Sequence, residues 1–251
     1  MNYMINKLFQ PFETKLTNYI INFDNLGEDY GNQDRNSLKL FQLEGQTLNV
    51  KSFRIPNIIN QIAYRFFRKS KAQRSFEYAI KLKELGVGTP MPIAYYEFKT
   101  PFLFKKSFYI SEQLDYDFTY RALTTNYNIP NYEAILRAFT RFTFQLHEKG
   151  IHFLDHSPGN TLIQLNSDDY KFYIVDLNRM DFKELDFETR IKNFSRLSTQ
   201  KYMVEIMSDE YAKCLGENYD KVFKLMWRDT EAFQEKYHKR RRLKNKLKFW
   251  K

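Results

Sequence analysis

The chain has 251 residues, a formal net charge of +10 and one cysteine, Cys214. That length suits one large domain or two small lobes around a cleft, with a sizeable core. A single cysteine excludes an internal disulfide and fits a reduced, cytosolic setting, and the absence of any run of about 18 apolar residues excludes a transmembrane helix. The opening Met1-Asn2-Tyr3-Met4-Ile5-Asn6-Lys7 has neither the basic nor the long apolar region of a secretory signal.

Taken in chain order, the first third reads mainly as strands. Leu16 to Phe23 is a largely apolar, β-prone run, and Asp24 to Asn36 after it is polar and holds Gly27 and Gly31. Leu38 to Leu43 and Thr47 to Phe53 flank Glu44-Gly45-Gln46, a hairpin signal. Lys71 to Leu85 carries Phe76, Ala79 and Ile80 at helical spacing and stops at Gly86, with Pro90 beyond. Ile93 to Phe98 and Phe108 to Leu114 add two strands. Five strands and one inserted helix compose a small N-terminal lobe.

The remainder is mainly helical. Asn131 is placed to cap a helix from about Tyr132 to Lys149, whose apolar face runs Ile135, Phe139, Phe142, Leu146 and which Gly150 ends. Two short strands, Thr161 to Leu165 and Phe172 to Leu177, lie around the turn-forming Asn166-Ser167-Asp168-Asp169. Phe187 to Ser198, Lys201 to Leu215 and Tyr219 to about Lys246 read as three further helices. The expected organisation is a first lobe over residues 1–115, a second over 116–235, and a basic tail over 236–251.

The tail concentrates Lys236, Lys239, Arg240, Arg241, Arg242, Lys244, Lys246, Lys248 and Lys251 with no acid among them. Such a patch fits nucleic acid, an anionic membrane surface, or a solvated helical end. The aromatic share of 18% fits base stacking or a richer core. On balance nucleic acid is not expected as a partner.

Two stretches carry the chemistry. In Gly150 to Asn160, Asp155 precedes Asn160 by five positions, on a loop between a helix and a strand. Phe172 to Asn178 places Asp176 after a buried-strand pattern. Each alone is as well read as a turn-forming or strand-ending residue. Together and in this order they supply what a phosphotransferase needs: a carboxylate to accept the proton of an attacking hydroxyl, and an amide and a second carboxylate to hold Mg²⁺ on the ATP phosphates. Lys51, alternating with Val50 on the third expected strand, is the lysine for the α- and β-phosphates. Glu77, in mid-helix, is the best glutamate to orient it, and Glu84 the second choice. His147, His152 and His156 match no zinc spacing and read as framework or substrate-side residues.

With these residues in order, the chain resembles the protein-kinase-like superfamily and, more specifically, the lipopolysaccharide kinase (Kdo/WaaP) family. The resemblance rests on Val50-Lys51, on the Arg74 to Glu77 helix followed by Leu85-Gly86-Val87-Gly88-Thr89-Pro90-Met91-Pro92, on Gly150 to Asn160, and on Val175-Asp176 with Asn193-Phe194-Ser195-Arg196-Leu197. It implies an α+β, two-lobed protein-kinase-like fold, with a small antiparallel-sheet N-lobe holding one helix and a mainly helical C-lobe. It implies Asp155 as catalytic base, Asn160 and Asp176 on Mg²⁺, and Lys51 with Glu77 on the ATP phosphates. The strand end Ser111 to Leu114, with Glu112 and Leu114, becomes the hinge that meets adenine. The implied acceptor is a lipopolysaccharide core sugar, Kdo or heptose, in a cytoplasmic enzyme peripheral at the inner membrane; the alternative readings are a kinase of another small molecule or a protein, and a catalytically inactive pseudokinase or binding module. Four departures stand out: no Gly-x-Gly-x-x-Gly loop, Phe153-Leu154-Asp155 in place of His-Arg-Asp, Asp176-Leu177-Asn178 in place of Asp-Phe-Gly, and no Ala-Pro-Glu segment, which points away from a protein acceptor.

Overall fold

A computed structural model of the chain describes residues 1–31, 36–166 and 169–248, with the backbone alone at Lys244, Lys246, Leu247 and Lys248. The middle of the Asp24–Asn36 loop, the centre of the Asn166–Asp169 turn and the end of the basic tail lie outside the described residues. Contacts divide the chain into two units, Met1–Asp115 with Ile174–Asn178, and Tyr116–Tyr173 with Arg179–Lys251.

The first unit is a single six-stranded sheet with helices. Its strands are β1 (Asn2–Ile5), β2 (Glu28–Asp29), β3 (Asn36–Leu43), β4 (Gln46–Phe53), β5 (Pro92–Lys99) and β6 (Phe104–Glu112). They run in the order β1-β5-β6-β4-β3-β2, with every neighbouring pair antiparallel. The β3–β4 hairpin turns on Glu44 and Gly45, at φ 47° and 80°. Two positive φ values match the twist of the flanking strands. Alternation along β4 sends Leu48 and Val50 to one face of the sheet, where they join Phe41, Ile93, Phe108 and Ile110 in a core. It sends Asn49, Lys51 and Phe53 to the other. There Phe53 and Tyr95 pack on Ala72 and Phe76 of the helix Lys71–Glu84.

The expected strand over Leu16 to Phe23 is instead helical, Glu13–Ile21. Leu16 and Ile20 fall on one helical face and are buried in the sheet's first core, while Ile21 beside them is 65% exposed. Burying that face, at about 1.5–3 kcal/mol for each large side chain, outweighs the β preference of its branched residues. A further helix, Ile58–Phe66, precedes the expected one. The sheet unit therefore has α1 (Glu13–Ile21), α2 (Ile58–Phe66) and α3 (Lys71–Glu84) where one helix was expected. Ser70 caps α3 by accepting from the Gln73 amide at 3.1 Å, and Gly86, at φ 67°, ends it.

The second unit is mainly helical: β7 (Phe118–Thr119), α4 (Tyr132–Glu148), β8 (Ile151–Phe153), β9 (Thr161–Leu165), β10 (Tyr170–Ile174), β11 (Met180–Phe182), α5 (Phe187–Lys192), α6 (Lys201–Leu215) and α7 (Tyr219–Lys248). Ile135, Leu136 and Phe139 of α4 share a core with Met203, Met207 and Tyr211 of α6 and Val222 and Met226 of α7. Asn131 does not cap α4 through its side chain; it takes the left-handed conformation, φ 58°, ahead of the first turn. α5 stops at Lys192, short of the expected Ser198, and the polar residues after it are used elsewhere. Among the described residues no helix is long and apolar enough to cross a membrane.

Candidate active site

In the second unit, the loop after β8 is built from both sides. β8 pairs with β11, Phe153 opposite Met180, and the Leu154 amide donates to the Arg179 carbonyl at 3.2 Å. Gly150 begins this arrangement at φ 66°, where a Cβ would stand 3.1 Å from the Lys183 carbonyl oxygen. Position and conformation both require glycine. Asn193, just past α5, donates from Nδ2 to the Phe153 carbonyl at 2.9 Å. Arg196 donates to the Leu154 carbonyl at 3.1 Å and pairs with Asp155 Oδ1 at 2.7 Å. Asp155 is thus anchored by one carboxylate oxygen. Among the described residues its Oδ2 has a 3.9 Å contact with the Arg179 guanidinium. Asn160 folds back to donate from Nδ2 to the Asp155 carbonyl at 2.8 Å, which commits its N–H side and leaves Oδ1 as an acceptor. Arg121 lies against the same loop: a Cβ at Gly159 would lie 3.0 Å from its guanidinium.

Beneath the loop the histidines form a framework. Asn193 Oδ1 lies 3.1 Å from His147 Nε2 and 3.3 Å from His156 Nδ1. An amide oxygen only accepts, so both of those ring nitrogens carry the proton. His147 Nδ1 is then bare and accepts from the Tyr211 hydroxyl at 2.7 Å. Burial pushes His147 down to about 4 and His156 down to about 3, which keeps both rings neutral at physiological pH. His152 is also lowered, first by burial. Neutral rings held this way are supports for the loop, the framework half of the sequence reading.

In the first unit, Lys51 of β4 reaches Asp176. Its Nζ is 2.8 Å from Oδ1, and Asn178 Nδ2 donates to the same oxygen at 2.8 Å. The segment carrying Asp176 is clamped two residues earlier. The Ile174 amide donates to the Gly88 carbonyl at 2.9 Å, and Thr89 Oγ1 donates to the Ile174 carbonyl at 2.9 Å. The Gly88-Thr89 stretch after α3 thereby fixes where Asp176 emerges. Asp176 itself sits at φ 60°, a conformation that costs a residue with a Cβ of order 1 kcal/mol or more and persists where surrounding contacts impose it.

Glu77 does not meet Lys51 in this structure. Its carboxylate accepts from Lys69 Nζ at 2.7 Å and from Gln73 Nε2 at 2.9 Å, on the exposed side of α3. At the end of β6, Glu112 Oε2 accepts from the Met91 amide at 3.4 Å. The Leu114 carbonyl accepts from Gln113 Nε2 at 3.2 Å, while the Leu114 amide has no partner among the described residues. Gly27, at φ 80°, packs where a Cβ would strike the Phe41 ring at 2.7 Å, which makes it a structural turn glycine. Sequence reasoning gave no role to Arg196, Arg179 or Arg121. Their contacts to the loop span long separations that no local spacing encodes.

Oxygen donors are what a hard cation takes, and Mg²⁺ uses few protein ligands beside nucleotide phosphates. Asn160 Oδ1 in the second unit and the Asp176 carboxylate in the first are each oxygen donors of that kind. Among the described residues no cluster of three or more His, Cys, Asp or Glu forms a self-contained metal cage.

No curated protein matches the sequence. Among solved structures, WaaP in complex with acyl carrier protein aligns with a TM-score of 0.64, covering 95% of this chain and 99% of that chain at 16% identity. At that identity the likeness carries the fold alone, and the fold is protein-kinase-like: a small antiparallel-sheet unit and a mainly helical unit. The model of the lipopolysaccharide kinase (Kdo/WaaP) family matches residues 46–237, reaching from β4 through the Asp155 loop into α7. With most of its length matched in this way, the chain belongs to the lipopolysaccharide kinase (Kdo/WaaP) family.

Proposed function

We propose that the chain is an ATP-dependent kinase that phosphorylates a hydroxyl of a lipopolysaccharide inner-core sugar, Kdo or heptose. The observation that carries this reading is the braced Asp155. One carboxylate oxygen is fixed on Arg196 and the other is left for a hydroxyl, in a loop that also presents Asn160.

In the proposed reaction Asp155 Oδ2 takes the proton of the sugar hydroxyl as its oxygen bonds to the γ-phosphorus. The bond from that phosphorus to the β,γ-bridging oxygen breaks, and ADP leaves with the electron pair. Lys51 Nζ, parked on Asp176 here, moves to the α- and β-phosphate oxygens. Asp176 and Asn160 hold the metal. Mg²⁺ supplies neutralisation of the charge on the phosphate oxygens. In the nucleotide-bound form Glu77 exchanges Lys69 for Lys51, and the Leu114 amide meets adenine.

Arg121, Arg179 and Arg196 around the loop favour an acidic acceptor and disfavour a cationic one such as an aminoglycoside. Kdo carries a carboxylate, and a phosphorylated heptose carries phosphate. A lipid-linked acceptor of this kind places the protein at the cytoplasmic face of the inner membrane as a peripheral enzyme. Nucleic acid has no part in this reading.

The test is Mg²⁺-dependent phosphoryl transfer by purified protein, with and without extracted lipopolysaccharide core, against Asp155→Asn. Acceptor-stimulated transfer that falls by about 10²–10⁴-fold in the variant, with its thermal midpoint unchanged, is expected. Nucleotide bound without any transfer would instead favour a catalytically inactive member of the family, and equal activity in the variant would remove Asp155 from the base role.

A further inference from the structure

Helix α2 is amphipathic the wrong way round for a helix on a folded core. None of its residues is buried. Ile58, Ile59, Ile62 and Phe66 are all exposed, Ile59 at 74%, while the residues turned partly inward are Asn60, Gln61, Ala63, Tyr64 and Arg65. Phe67 directly after the helix is 82% exposed. Phe102 is 74% exposed in the β5–β6 turn, which Arg65 joins to the end of α2 by donating to the Thr100 carbonyl at 3.0 Å. Bulky apolar side chains gathered on one outer surface mark an interaction site.

The charge around this patch has one sign. From Gly45 to Phe76 the sequence contains Lys51, Arg54, Arg65, Arg68, Lys69, Lys71 and Arg74 and no acid. Arg65 lies over the Phe66 ring at 5.0 Å and Arg68 over Tyr64 at 5.9 Å, which keeps both cations at the rim of the apolar face. The first acid after this run, Glu77, is held by Lys69. A cavity of about 500 Å³ beside the start of α2 has a mixed lining, with Arg54, Asn57, Asn60 and Lys71 beside Phe53 and Phe104. A second copy of the chain would bring the same positive charge to the patch and be repelled.

We infer that α2, with Phe67 and Phe102, is a docking element that lies in the surface of an anionic lipid bilayer, its isoleucines and phenylalanines among the acyl chains and its arginines at the headgroups. Apolar insertion with a basic rim is how interfacial helices bind. The choice of a lipid surface rests on the glycolipid acceptor proposed above; Asp155, Asn160 and Asp176 are not among the residues of the patch.

The test is flotation of the full chain with vesicles of phosphatidylethanolamine and phosphatidylglycerol, compared with phosphatidylcholine alone. Ile59→Ser with Phe67→Ser should lower partitioning into the anionic vesicles about tenfold or more, and Arg65→Gln with Arg68→Gln should lower it in a salt-sensitive way. Ile59, Phe67 and Arg68 are exposed, so the serine variant should keep the wild-type thermal midpoint, while Arg65→Gln, which loses the bond to the Thr100 carbonyl, is read beside Arg68→Gln alone. Phosphoryl transfer to delipidated core oligosaccharide, measured on the same variants, should be unchanged, so loss of docking and loss of the kinase reading are read separately. The inference is overturned if wild-type protein ignores anionic vesicles, if the serine variant floats as well as wild type, or if that variant alters only self-association in sedimentation.

Discussion

Asp155 is a carboxylate whose two oxygens have different surroundings, and Arg196 makes the difference. Its guanidinium joins the Leu154 carbonyl to Asp155 Oδ1 and lies 5.6 Å over the Phe233 ring. A lysine is a point donor and cannot hold this geometry. Arg196→Lys is therefore expected to lower kcat by roughly 10–100-fold, from loss of a charged hydrogen bond of about 1.5–3 kcal/mol, with little change in the KM for ATP. Equal losses in kcat and ATP affinity would show that Arg196 acts on nucleotide and not on Asp155. Asp176 offers a second residue-scale expectation. Asparagine tolerates its left-handed backbone and can keep the bond from Asn178, but it has no charge for Lys51 or a metal. Asp176→Asn should leave stability near wild type while weakening Mg²⁺-dependent nucleotide binding at least about tenfold. Calorimetry that finds the same Mg·ATP affinity would rule out a metal role.

At the scale of elements, the sequence was most legible where period and punctuation agreed. α3 starts at Ser70 and stops before Gly86, and α6 follows its expected bounds. α1 was misread because Leu-Thr-Asn-Tyr-Ile-Ile-Asn-Phe is as good a strand by composition as a helix; only a core waiting for Leu16 and Ile20 decides it. α2 was not seen as a helix at all, since its isoleucines face away from the core. In the site, the Asp155-to-Asn160 spacing and Asp176 were visible because they are local. The expected pairing of Glu77 with Lys51 was not found, because Lys69 and Gln73, nearby on the same helix surface, satisfy Glu77 first. Asn193 shows what a single element end can support: it holds the Phe153 carbonyl and both buried histidines. Asn193→Ala strands three buried groups, so a loss of about 1–3 kcal/mol in stability is expected, together with reduced kcat. Retained stability would mean that the histidines find other partners.

The same network gives the fold a pH dependence with a definite sign. His147 and His156 are neutral when folded, at about 4 and about 3, and titrate near 6.5 when unfolded. Below that unfolded value the unfolded chain binds protons that the folded chain refuses. Stability is therefore fully present above about pH 6.5 and falls as pH drops toward about 4, by up to roughly 1.4 kcal/mol per unit for each imidazole. Denaturant titrations across that window should show the slope, and His156→Gln should make it shallower; an unchanged slope in the variant would place the acid sensitivity elsewhere.

Over the whole molecule, charge is distributed unevenly, and the two basic regions differ in kind. α2 couples its cations to exposed apolar side chains. The end of α7 has Lys236, Lys239, Arg240, Arg241 and Arg242 exposed, with Tyr237 and Leu243 spaced singly among them. A purely ionic region interacts through a field that salt screens over about 10 Å at 0.1 M, whereas inserted side chains keep their contribution in salt. Truncation after Tyr237 removes eight cations and no acid, taking the formal net charge from +10 to +2. The truncated chain should bind anionic vesicles more weakly than the full chain at low salt. As salt rises, the two should converge on the same residual binding, because that residue belongs to α2. Vesicle titrations at several salt concentrations decide the matter. Parallel curves that never meet would assign apolar insertion to the tail as well, and coincident curves at all salt concentrations would leave the end of α7 as a solvated helix.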